Sequence, residues 1–94
     1  MEAGDRIIIT AAVDQRLDAR AFIIRDVDLP AAGVLVLDPA ATPIAAPQLV
    51  TVHGIVRRFA YGAHAPGYGL RDPDAYRAFE TAKVLRAEHI EVHD

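Results

Sequence analysis

The chain has no cysteine, no serine and no tryptophan. Without cysteine there is no disulfide, no zinc–thiolate centre and no thiol nucleophile. That absence does not fix a compartment, since cysteine-free proteins occur on both sides of a membrane. Without serine a serine triad is excluded, and Thr10, Thr42, Thr51 and Thr81 fall in strand, loop or helix-end settings. With no tryptophan and only three Phe and three Tyr, large anchors are few, so a core must be mostly Ile, Val and Leu. Lysine is scarce too: nine of the ten basic residues are Arg, a bias that follows from composition in a GC-rich genome. The net charge of −3 argues against a nucleic-acid surface, because neutralising phosphates takes clustered Lys and Arg. No stretch reaches the ~18 uninterrupted apolar residues of a transmembrane helix. Met1-Glu2-Ala3-Gly4-Asp5 is acidic and runs straight into apolar residues, unlike a signal peptide. Such a start is expected of a small cytosolic protein, or of a soluble piece of a larger one.

What is present is a set of β-strand runs in 94 residues, the size of one domain, 1–94. A chain this long buries roughly 60–65% of its unfolded surface, and a 52% hydrophobic fraction is ample for one modest core. From Arg6 to Val13 the residues alternate: Ile7, Ile9, Ala11 and Val13 share one face, and Ile8, Thr10 and Ala12 the other. The polar stretch 14–19 predicts a turn with Leu17-Asp18 near its tip, and Ala21 to Arg25 a returning strand with Phe22 and Ile24 on one face. Pro30 and Gly33 break the pattern before a short third strand, Val34 to Leu37, closed by Asp38-Pro39. The proline-rich stretch 40–47 reads as a surface connection.

Leu49 to Phe59 is the fourth strand, with Val50, Val52, Gly54 and Val56 on its inward face; Gly54 suggests a bend or a close backbone approach. Residues 60–70 carry three Gly and a Pro and read as a loop. Asp72-Pro73-Asp74 then starts a helix, with Asp72 as cap and Pro73 in the first turn, ending near Glu80 or Thr81. Tyr76 and Phe79, three apart, dock on one face of this helix, which is expected to be the only substantial one. Residues 82–92 fit a helix by propensity or a closing strand, and the strand is favoured.

This order, with Gly4-Asp5, Ala21-Phe22, VTVHGIVRRF at 50–59, Tyr68-Gly69, Asp72-Pro73 with Tyr76, and Ala87-Glu88 with Ile90 and Val92, resembles small bacterial OB-like domains found in membrane-associated or exported proteins. The resemblance covers most of the chain. It implies a mainly β, five-stranded OB-like Greek-key barrel with one short helix between strands four and five. It also implies a non-enzymatic structural or interaction module, part of a larger or membrane-associated bacterial protein, with an envelope or extracytoplasmic setting favoured. The chain departs from the pattern in two places. AYGAHAPG stands where a short acidic helical turn is expected, and the helix follows strand four, whereas the standard OB barrel places it between three and four. The resemblance brings no catalytic residue, no metal and no cofactor.

His89 and His93 flank Glu91 at a spacing that grips a metal on a helix and shares a face on a strand, but no third ligand is evident. His53 is expected outward on strand four and His64 in a loop. Asp26, Asp28, Asp38, Asp72 and Asp74 sit at turns and caps. Gly62, Gly67 and Gly69 lack the strand-to-helix setting and the Lys of a phosphate loop. OB folds take oligonucleotides on strands two and three. Here that platform, with Ala21, Ile23 and Arg25 outward and VLVL beside them, offers no aromatic ring. The one basic–aromatic group is Arg57, Arg58, Tyr61 and Tyr68, expected at one end of the barrel as a surface for an unknown protein or envelope partner. The alternatives are that the tyrosines simply pack on the barrel end, or that the module binds single-stranded nucleic acid. As a surface residue, Tyr61 would cost under roughly 1–1.5 kcal/mol when truncated to Ala.

Overall fold

Alternating strands need a sheet with one dry face, and the computed structural model provides it by closing the sheet on itself. It describes residues 2–30 and 33–93. Strands β1 (Arg6–Asp18), β2 (Ala21–Arg25), β3 (Val34–Leu37), β4 (Leu49–Arg58) and β5 (Lys83–His93) form a closed barrel in the order β1-β2-β3-β5-β4. Every neighbouring pair is antiparallel except β3 and β5, which run parallel and meet only at Val36–Leu85 and Leu37–Arg86. The expected mainly β barrel, closed by a strand near the C-terminal end, is therefore what this chain forms.

The first strand is longer than its sequence suggests. The stretch 14–19 is not a turn: β1 continues to Asp18, and the hairpin turns at Ala19-Arg20. β1 serves both halves of the barrel, pairing with β4 from Arg6 to Ala12 and with β2 from Ala12 to Asp18. Register shifts between Val13 and Gln15 and between Arg16 and Asp18 bend it from one partner to the other. The polar residues that look like a turn are those at the bends. Arg16 holds this end down, donating to the carbonyls of Thr42 at 2.6 Å and Ala19 at 2.7 Å.

Alternation sorts the buried residues into two layers. Ala11, Val13, Phe22, Ile24, Val34, Val36, Val50, Val52, Val56 and Leu85 fill the barrel, and Ile44 from the connection after β3 joins them. Gly54 sits where β4 and β5 shift register, and a β-carbon there would lie 2.9 Å from the Arg86 carbonyl oxygen, so the strands can come this close only at a glycine.

The second layer lies outside the barrel. Ala21, Ile23, Leu35, Leu37 and Val84 point away from the interior and are covered by Phe59, Leu70, Tyr76 and Phe79. The cover is the segment between β4 and β5, and here the sequence expectation needs correction. The stretch 60–70 is not a loop, since Tyr61–Tyr68 is an α-helix (α1). The segment beginning at Pro73 is a 3-10 helix, Pro73–Phe79, so it is neither an α-helix nor the only helical piece. Its start is as expected: Asp72 accepts the Asp74 N–H at 3.0 Å with Pro73 in the first turn. Residues three apart eclipse on a 3-10 helix, which places Tyr76 and Phe79 together on the buried side. Among the described residues no helix is long and apolar enough to cross a membrane.

Candidate functional site

Arg57 and Arg58 end β4, and Tyr61 and Tyr68 are the first and last residues of α1. Strand pairing sets Arg57 opposite Val84 and Arg58 opposite Lys83. Both arginines are exposed, and the Arg58 guanidinium donates to the Thr81 carbonyl. Arg86, opposite Ile55, donates through Nε to the Tyr68 hydroxyl at 3.1 Å, which ties α1 to β5.

The two tyrosines are half-buried. The Tyr61 hydroxyl donates to the Leu70 carbonyl at 3.0 Å, and its ring lies 5.7 Å from that of Tyr76. Tyr68 packs against the same outer layer, 6.3 Å from the His64 ring. The arginines thus face solvent, while the tyrosines give much of their area to holding α1 on the barrel. His64 belongs to this packing as well, stacked on Phe59 at 5.4 Å with its Nδ1 2.9 Å from the Ala60 carbonyl oxygen.

The strand two–three face is not bare. Ala21, Ile23, Leu35 and Leu37 do point outward, but they are at most 7% exposed, because the chain's own helical segment lies on them. Neither an approaching base nor a peptide reaches that face.

Asp38 and Asp26 hold turns, as expected. Asp38, 3% exposed, accepts the backbone N–H groups of Ala40 at 3.1 Å and Thr42 at 2.7 Å. Asp26 accepts the Val27 N–H at 2.8 Å. A depression of about 760 Å³ opens beside Val13, Val27, Leu29, Pro30 and Pro47, with the Asp14–Arg25 ion pair at 3.2 Å on its rim.

A second grouping was only half legible in the sequence. Pairing of β4 with β5 sets His53 opposite His89 and Thr51 opposite Glu91 on the outer face. His53 Nε2 and His89 Nε2 stand 3.6 and 3.8 Å from the same Glu91 oxygen, and the two rings meet edge-on at 5.4 Å. His93 lies further along, its Nε2 2.8 Å from the Thr51 hydroxyl, which in turn bonds that of Thr10 at 2.7 Å. The spacing of residues 89, 91 and 93 pointed here, but the cross-strand partner His53 is a matter of register, which no local window contains.

Compared with protein-family models, with curated protein sequences and with solved structures, the chain matches none.

Proposed function

We propose that this chain is an OB-like module that acts by binding a protein partner, without catalysis, within a larger or membrane-associated bacterial protein. Its partner surface is the barrel end carrying Arg57, Arg58, Tyr61 and Tyr68. The OB-like reading draws support from the strand order β1-β2-β3-β5-β4 with its parallel β3–β5 pair. The observation that carries the binding reading is the covered face. Where OB barrels receive single strands, this chain has filled the platform with Phe59, Leu70, Tyr76 and Phe79. The surface offered in its place is that of the end of β4 and of α1, with two exposed arginines and two half-buried tyrosines. Arginine and tyrosine in that setting suit a protein contact, combining a planar charged fork with a rigid ring.

The second reading, a single-strand nucleic-acid binder, rests on the same group, because stacking rings beside positive charge are also what such binders use. An anisotropy titration with a fluorescent single-stranded oligonucleotide separates the two. Weak, salt-sensitive binding is expected. Submicromolar affinity at physiological salt would replace the first reading with the second. Affinity capture from the source cells, run in parallel with wild type and an Arg57→Ala/Arg58→Ala variant, completes the test. A protein retained by the wild type and lost from the variant is expected, and equal retention by both would move the surface elsewhere.

A further inference from the structure

The i, i+4 spacing of His89 and His93 suits a helix, but both lie on β5, where positions four apart are ~13 Å distant along the backbone. His93 is also engaged by Thr51. The partner of His89 is the residue across the ladder, His53, and paired positions hold their β-carbons ~4.5–5.5 Å apart whatever the side chains do. Glu91, one pleat along β5, points its carboxylate at both rings.

We propose that His53, His89 and Glu91 form a surface site for a borderline-soft divalent cation of the zinc class on the outer face of β4 and β5. Two imidazole nitrogens and a carboxylate oxygen are a donor set such cations take. A tetrahedral centre with bonds of ~2.0–2.1 Å has edges between ligands of roughly 3.3 Å. The two edges at Glu91 stand at 3.6 and 3.8 Å, a few tenths of an ångström wider and beyond hydrogen-bond length, so neither nitrogen is committed to the carboxylate.

As the side chains stand, no group of three His, Cys, Asp or Glu among the described residues is placed to hold a metal ion. The missing step is rotation of side chains: those of His53, Glu91 and His89 are 37%, 50% and 64% exposed, free to turn without disturbing either core. The cation draws three side chains together over a backbone that the ladder keeps fixed. The remaining coordination position faces solvent and takes water.

The test uses the metal alone. Zinc chloride is titrated into the metal-free full chain, followed by calorimetry and by two-dimensional NMR of the imidazole resonances. One zinc ion per chain should bind saturably, with the His53 and His89 signals moving together and those of His64 unmoved. His53→Asn or His89→Asn should each weaken binding at least as much as losing a ligand's outer-shell partner does, roughly 10–100-fold. Glu91→Gln should weaken it as well, and His93→Asn should leave the affinity unchanged. The proposal is overturned if no saturable binding is seen, if His53→Asn binds as the wild type does, or if His89 and His93 shift while His53 does not.

Discussion

Tyr76 ties the outer hydrophobic layer to the frame. It is fully buried, with its ring 6.0 Å from Phe59 and 5.7 Å from Tyr61, and its hydroxyl donates to Asp18 Oδ2 at the far end of β1. Burial pushes its ionisation well above the ordinary tyrosine range, and the hydrogen bond to Asp18 and the charge of that carboxylate push it the same way. A phenol whose folded-state value is raised stabilises the fold fully below the unfolded value of ~10 and loses that contribution as pH rises beyond it. One such proton steepens the decline by about 1.4 kcal/mol per pH unit. Tyr76→Phe removes a hydrogen bond to a charged group and should cost ~1.5–3 kcal/mol at neutral pH. Above pH ~10 it should also lose stability less steeply than the wild type. Urea unfolding at pH 7 and across the alkaline range reads both effects. Equal alkaline slopes would mean that the Tyr76 hydroxyl is in contact with water.

At the scale of elements, α1 is the instructive case. YGAHAPGY reads as a loop because glycine costs a helix about 1 kcal/mol and an interior proline ~3 kcal/mol relative to alanine. What makes it helical comes largely from outside the segment. The Glu80 carboxylate accepts the Tyr61 N–H at 3.1 Å, Phe59 stacks on His64, and Leu70 accepts the Tyr61 hydroxyl. Gly69, in the left-handed region at φ 64°, closes the last turn with its N–H on the Ala65 carbonyl. None of this is visible to a local window, whereas the alternation of β1 and β4 and the Asp72-Pro73 start are local signals and were legible. The extension of β1 through Asp14 to Asp18 was missed for a related reason: bulges spoil alternation, and only the pairing with β2 reveals a strand. His53 was placed outward from its parity alone, but its neighbour His89 needed the register. Tyr61→Ala should therefore cost ~2–3 kcal/mol, more than a surface tyrosine would. Arg57→Ala should stay within about 0.5 kcal/mol. Thermal melts of the two variants check this, and a Tyr61→Ala loss as small as that of Arg57→Ala would return Tyr61 to the exposed surface.

At the scale of the whole molecule, the barrel is closed unevenly. β5 runs beside β4 from Lys83 to His93 but meets β3 at only two residue pairs, joined across about fifty residues of chain. Hairpin contacts such as β1–β2 need little loop closure, while this seam needs a great deal and gives few bonds in return. The closing contact should accordingly form late. Stopped-flow folding of Leu85→Ala should give a φ value below ~0.3, with the loss appearing mainly as faster unfolding, and a value near 1 would place the seam in the folding nucleus. Timing then becomes a hazard. Until the seam forms, β3 and the start of β5 present unpaired backbone to any other chain passing by. The yield of refolded monomer should thus fall as protein concentration rises, even where the rate of the productive step does not change.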